Sequence, residues 1–410
     1  MQKKYQWASL FVTNFLGVLN NNFLRNLFVF VSVSVLALKD KELMVTLAAG
    51  LYVLPYIFFS PLGGRLAKAH RKSDILFWTK MAELFIFILA CFAFYLRSVE
   101  LILFCVFGVG LTSTLFSPSK YGLIRDIGGE AGLSFGTGTL EMMTFFGVLL
   151  GSFVAGIIAD NYTLMLFMMF LLPVAIAQVF SARMLKNIQE TAPMKDVKES
   201  INPITFLVKS VKWAGSIPSA NVIIAALAVF WMSGNFIQMN ILMHCDSYLN
   251  MDNTQTGLMM IVSAVGIGVG SFLTGLLSGK KIELGFTPIG AIGMMVCLLI
   301  LYFARPVGYS FSVLIFLTSF FSSVYMVPLS AWVQHSVDGR LQGDMLAYSN
   351  FTIFLFILIS AGIYAPVVKF ADTHTIWLLL FVIIAFILVI LLTKVKGTWK
   401  RTLSVLSGRK

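Results

Sequence analysis

Residues 376 to 393, IWLLLFVIIAFILVILLT, are eighteen consecutive residues without one formal charge. A stretch this long and apolar matches roughly 30 Å of hydrocarbon as an α-helix, and no water-soluble fold needs it. Runs of the same kind recur from end to end. The first half supplies spans at 7 to 36, 43 to 66, 75 to 96, 99 to 123, 133 to 158 and 163 to 184. The second supplies 220 to 245, 256 to 278, 286 to 304, 308 to 332, 343 to 367 and 374 to 393. The composition agrees: of 410 residues, 58% are hydrophobic and 12% charged, against about 25% charged in soluble domains. The expected fold is all-α and integral to the membrane, with about 12 transmembrane helices in two six-helix pseudo-repeats.

The net charge of +12 invites a nucleic-acid reading, but the basic residues follow topology instead. Of 30 Lys and Arg, 22 fall at the termini and in the even-numbered loops. Odd-numbered loops hold Lys39, Lys41, Arg97, Arg305 and Lys369, and Arg25, Lys80 and Lys120 lie inside spans, with Arg65 and Arg183 at span ends counted with the adjoining loops. The positive-inside rule puts both termini and the central loop in the cytoplasm. The first apolar segment is too long for a removed signal peptide and has no small-residue cleavage site. The expected domains are a six-helix bundle over 1–185, a cytoplasmic linker over 186–218, a second bundle over 219–395 and a basic tail over 396–410. The linker, rich in Lys and Pro, reads as lying partly on the membrane surface.

The halves match weakly. SPSKYGL (117–123) and VPLSAWV (327–333) each place a proline late in the fourth helix of a half, and TNFLGVLNNNF (13–23) answers AVFWMSGNFIQ (228–238), with Asn20 on Asn235. Such symmetry is expected of secondary transporters, whose substrate site lies near the midplane between repeats. GVLLG (147–151), GIGVG (266–270) and GLLSG (275–279) permit close helix packing in lipid. Pro118 and Pro328 kink their helices, as hinges or as static bends. Cys91, Cys105, Cys245 and Cys297 sit in or beside apolar runs with no CxxC pair, so they read as packing residues.

A charge at bilayer depth costs on the order of 3 kcal/mol and must face a cavity or a partner. Asn14, Asn21 and Arg25 recur at i, i+7 and i+11, within about 40° of one line on the first helix. Lys80 and Glu83 form an i, i+3 pair, the fourth helix adds Lys120, and the fifth adds Glu141 between Thr137 and Thr144. One reading is mutual structural neutralisation, Lys80 with Glu83 and Lys120 or Arg25 with Glu141. The other is a cavity of three cations and two carboxylates for a ligand with a phosphate and an ammonium. Glu83 or Glu141 as carrier of a coupling proton is equally compatible. The second half is poorer in such charges and offers Gln238, Asn240, His335 and Asn350, while Asp246 and Asp252 fall in an external loop as solvated acids. His70, His244 and His335 have no Ser, Cys or metal-ligand partner at useful spacing, His374 reads as a loop residue, and no GxxxxGK[ST] loop occurs. Catalysis, ATP-driven pumping and a bound cofactor are therefore not expected, nor is a nucleic-acid partner.

The segments NFLGVLNNNFLRN (14–26), KMAE (80–83), SPSKYGLI (117–124), GTLEMMTFFGVLLGS (138–152), FWMSGNFIQMN (230–240) and GIGVGSFLTGLLSGKKIELGFTPIGAIG (266–293) carry a resemblance. The chain resembles the major facilitator superfamily, and within it the bacterial lysophospholipid transporter family, including the transporter domain that some bacteria fuse to an acyltransferase and acyl-carrier-protein synthetase. The resemblance implies a monomeric multi-pass protein of the bacterial inner membrane. It implies flipping of lysophosphatidylethanolamine-like lipids to the cytoplasmic leaflet for reacylation by a separate acyltransferase/acyl-ACP synthetase. Asn21, Asn22, Arg25, Lys80, Glu83, Lys120, Glu141 and Gln238 are the implied substrate-binding residues, and Pro118, Pro328 and Lys68 the implied hinge or gate. Three departures from the family stand out. Asn21 and Asn22 replace its Asp-Asn, Lys68 replaces the acid of its GxxxD loop, and Gln238 stands where some relatives carry Arg. Two other readings stay open: a facilitator for another amphiphilic or drug-like solute, and a non-transporting scaffold that recruits a lipid-remodelling enzyme.

Overall fold

A computed structural model describes residues 2–34, 41–194, 202–251, 253–279, 282–337 and 341–407. Lys39, the linker stretch 195–201 with Lys195 and Lys198, and Asp252 lie outside the described residues. Among those residues there are fourteen α-helices, two 3₁₀ turns and no strand. The long helices of the first half are α1 (Gln2–Ser34), α2 (Lys41–Ala69), α3 (Lys72–Leu96), α4 (Val99–Gly128), α5 (Leu133–Asp160) and α6 (Leu164–Arg183). After the short α7 (Pro203–Gly215) come α8 (Ala220–Ser247), α9 (Asn253–Ser278), α10 (Phe286–Ala304), α11 (Tyr309–His335), α12 (Gln342–Phe370) and α13 (Thr373–Lys394). The chain closes with α14 (Thr398–Leu406). Among the described residues, ten helices, α3 to α6 and α8 to α13, are long and apolar enough to cross a membrane. With α1 and α2, of 33 and 29 residues, they make the twelve of a major-facilitator-type all-α fold. α1 misses the hydropathy level of the ten because it carries Asn14, Asn20, Asn21, Asn22, Arg25 and Asn26.

Inside lipid the usual amphipathic rule inverts, and α3 shows this plainly. Phe85, Ile88 and Phe92 face outward, whereas Glu83, Phe87, Ala90 and Phe94 are buried. Helix ends find their missing partners locally: the Ser98 hydroxyl accepts from the Leu101 amide at the start of α4, Thr163 does so for Leu166 on α6, and Asp372 for Thr375 on α13. Pro118 and Pro328 are buried within α4 and α11, both of which continue beyond them. The 186–218 linker is not all irregular, since α7 occupies its second part.

By contacts the chain forms two compact units. The first comprises 1–129, 143–209 and 337–348, and the second 130–142, 210–336 and 349–410. Each unit thus takes a short segment from the other half of the sequence, an arrangement absent from the 1–185 and 219–395 division. In the first unit, Phe23 packs on Phe167 with ring centroids 5.9 Å apart, and Phe94 on Phe167 at 4.6 Å. A Cβ added at Gly64 would lie 2.6 Å from Ala347 Cβ and 2.8 Å from Gly343 O, so the ends of α2 and α12 touch through glycine. In the second unit a Cβ at Gly138 would meet Ser271 O at 2.4 Å and Gly275 Cα at 3.0 Å, which brings α5 against α9 in the same manner. Trp377, Tyr325, Phe236 and Phe311 fill that unit's interior, and the Tyr325 hydroxyl donates to Ala226 O at 2.8 Å.

Candidate functional site

The polar face of α1 organises the first unit. Asn14 is the hub: its amide nitrogen donates to Thr144 Oγ1 at 2.8 Å, and its amide oxygen accepts from Lys120 Nζ at 3.0 Å. Lys120 also lies 4.9 Å from the Tyr121 ring centroid and 5.8 Å from that of Phe116. It is half-buried, not sealed in. Two turns along α1, Asn21 donates to Ser113 Oγ at 2.9 Å. Asn22 donates to Val18 O and accepts from Arg25 Nη2 at 2.9 Å, and the Arg25 guanidinium lies 5.2 Å from the Tyr52 centroid. Among their contacts, Arg25 and Lys120 each bond a neutral side-chain amide and lie beside aromatic rings.

Lys80 and Glu83 differ from this. Lys80 Nζ donates to Glu83 Oε2 at 2.8 Å, Thr112 donates to Glu83 Oε1 at 3.2 Å, and Gln178 Nε2 donates to Oε2 at 3.1 Å. Lys80 also sits 4.1 Å from the Phe116 centroid, with 2% and 0% of the two side chains exposed. In this structure the two side chains meet each other, Thr112 and Gln178 in a buried network. Gly17 makes room for it, since a Cβ there would lie 2.6 Å from Lys80 Nζ. Thr112 and Gln178 escaped notice in the sequence, although a lone Gln in the apolar run of α6 is a signal of its own.

Lys68 ends α2 in an ion pair with Asp344 in the first turn of α12. Lys68, where the family resemblance expects an acid, thus meets an acid from α12. Around it, Lys72 Nζ donates to Asp126 at 2.6 Å, Thr191 Oγ1 donates to the same carboxylate at 2.8 Å, and Met194 N donates to Lys68 O at 2.9 Å. Glu190 accepts from the Lys72 amide and the Ser73 amide and hydroxyl, which caps α3. The beginning of the linker is therefore fastened across the α2–α3 turn.

In the second unit, Glu141 is buried at 1% exposure and Gln238 is exposed on α8. Gln334 donates to Thr137 Oγ1 at 2.8 Å, and His335 lies 3.5 Å from Glu130 on the surface. His374 is not a loop residue. It is buried in the first turn of α13, its ring 4.7 Å from that of His244, and His244 Nδ1 lies 2.8 Å from Thr373 Oγ1. Among the described residues no group of three or more His, Cys, Asp or Glu could hold a metal ion.

Twelve long helices, an internal repeat and a charge-bearing polar face inside the apolar bundle define a membrane transporter rather than an enzyme. The sequence profile of the Major Facilitator Superfamily matches residues 10–361, and the chain belongs to that superfamily. It is 24% identical over 321 residues to the lysophospholipid transporter LplT of Yersinia enterocolitica, covering 78% of this chain and 77% of the relative. The LplT of Yersinia pestis (strain Pestoides F) is 25% identical over 327 residues, covering 78% and 76%. Among solved structures, the human organic anion transporter MFSD10 superposes with a TM-score of 0.75 at 13% identity, covering 94% of this chain and 99% of its own. FucP, a transporter of the same superfamily in the outward conformation, gives 0.71 at 15% identity, covering 94% and 98%. The structural matches establish the fold.

Proposed function

We propose that this transporter moves lysophospholipids of the lysophosphatidylethanolamine kind across the bacterial inner membrane to the cytoplasmic leaflet, where a separate acyltransferase/acyl-ACP synthetase reacylates them. The observation that carries this reading is a pair of cations within one apolar unit, of the charge that a phosphate headgroup requires: the first is Lys120, half-buried and bonded to Asn14 beside two aromatic rings. Arg25, held by Asn22 beside Tyr52, is the second cation of the same unit. The relatives named as lysophospholipid transporters support the same substrate class. Glu141 is assigned the ammonium, Gln238 a headgroup contact, and Asn21 and Asn22 the positioning of the α1 face. Lys80 and Glu83 keep α3 fixed to α4 and α6. The protein works as a monomer with both termini in the cytoplasm.

The test is lysophosphatidylethanolamine translocation in proteoliposomes, with and without an imposed proton gradient. Lys120→Ala and Glu141→Ala are each expected to reduce translocation at least tenfold while the purified proteins keep their unfolding temperature. Wild-type translocation by both variants overturns the assignment of the site. No lysolipid movement by the wild type overturns the function. A second reading, a proton-coupled carrier of another amphiphilic or drug-like solute, draws on the deep burial of Glu141. It predicts solute uptake that requires the gradient and lysolipid movement that does not occur.

A further inference from the structure

The Lys and Arg that flank α7 and α14 belong to no transport step described above. Helix α7 projects Ile204, Val208 and Val211 at i, i+4 and i+7, all exposed, Ile204 to 75%. At 100° per residue these three fall within about 60° of arc, while the buried Phe206, Ser210 and Ala214 occupy the other side. Lys209 and Lys212, both exposed, lie between the two faces. Helix α14 repeats the plan in nine residues. Trp399 and Leu403 are exposed one turn apart, Thr398 and Thr402 are buried, Lys400 is exposed beside the apolar stripe and Arg401 is exposed farther round the helix.

Both helices are rooted in the bundle and lie at one level. Val211 O accepts from Asn221 Nδ2 at 3.0 Å, which fixes the end of α7 to α8. Gly397, at φ +81, turns the chain out of α13, and a Cβ at Gly285 would lie 2.7 Å from the Arg401 carbonyl carbon, so α14 lies against the start of α10. Ser219 Oγ donates to Lys394 O at 3.3 Å, so the start of α8 and the end of α13 meet on the same side of the six-helix unit.

An exposed apolar stripe bordered by Lys, on a helix joined directly to the end of a membrane span, is the pattern of a helix lying in the headgroup plane. We propose that α7 and α14 together form a binding surface for anionic phospholipid headgroups on the side of the bilayer that carries the chain termini. The apolar stripes enter the acyl boundary, and Lys209, Lys212, Lys400 and Arg401 meet phosphates. A surface positive potential of this kind selects phosphatidylglycerol over phosphatidylcholine by charge alone. Each cation contributes about a factor of five to the binding constant at low salt.

The experiment uses the purified full chain in a neutral detergent. Added phosphatidylglycerol is expected to raise the thermal unfolding temperature by several degrees more than equal phosphatidylcholine, and 0.5 M salt to remove most of the difference. The variant Lys209→Gln, Lys212→Gln, Lys400→Gln, Arg401→Gln is expected to bind phosphatidylglycerol at least tenfold more weakly while unfolding as before in phosphatidylcholine. If that variant does not fold, bilayer quenching of the wild type decides. Brominated phosphatidylglycerol must quench tryptophan emission more than brominated phosphatidylcholine, and the excess must vanish in Trp399→Phe. Equal effects of the two lipids, or an undiminished phosphatidylglycerol effect in the fourfold variant, overturn the proposal. A protein partner occupying this surface would produce that same lack of lipid selectivity.

Discussion

Asn14 and Lys80 show how differently two polar residues can be used at bilayer depth. Asn14 bonds Thr144 and Lys120 through the two atoms of its amide, whereas Lys80 bonds the carboxylate of Glu83. Removing one member of a buried pair strands the other, a loss of about 3 to 5 kcal/mol, while replacing both with apolar residues is close to neutral. Lys80→Met is therefore expected to lower the unfolding temperature sharply, and Lys80→Met with Glu83→Leu to recover most of it. A double variant no better than the single one would contradict a closed network. Lys120→Ala, by contrast, is expected to leave stability nearly unchanged. The i, i+3 spacing of Lys80 and Glu83 made that pair legible in the sequence. Its completion by Thr112 and Gln178 was not, because those partners come from α4 and α6.

Among the helices, glycine decides where backbones meet and short caps decide where helices begin. At Gly138 a side chain would enter the α9 backbone near Ser271 O. Gly138→Val is thus expected to push α5 from α9 and to lower the thermal unfolding temperature of the purified protein by several degrees. At the start of α13, Asp372 accepts from the amide and hydroxyl of Thr375 at 2.8 Å. Partial burial works to raise its pKa, but those two bonds, with His374 and Arg305, hold the carboxyl below its ordinary value. A carboxylate with a lowered folded-state pKa adds stability above its unfolded value, about 3.9, and loses it as pH falls through the folded value. Asp372→Ala is expected to cost about 1 kcal/mol at neutral pH, measured by unfolding, with a smaller deficit in acid. GIGVG and GLLSG marked the α9 packing surface in advance. Their partners, Phe316 and Phe320 on α11 and Gly138 on α5, are set only when the helices assemble.

For the whole molecule, the compact units exchange 130–142 and 337–348 between the two halves of the sequence. Asp344, the partner of Lys68, lies in one of those exchanged segments. Lys68→Asp and Asp344→Lys are each expected to slow transport several-fold by placing like charges together, and the two combined to restore it. Failure of the combination to exceed either single variant would show that the pair has no part in turnover. The sequence alone determined that the chain spans a membrane about twelve times, that its charges follow topology and that the polar residues concentrate in the first half. Those properties depend on run length, helical period and the cost of charge in hydrocarbon, all local. Only the tertiary structure decided which charges cancel, that Lys68 has an acid from the far end of the chain, and that His374 is buried against His244. The last two need a partner more than a hundred residues away, and such distances close only when helices pack.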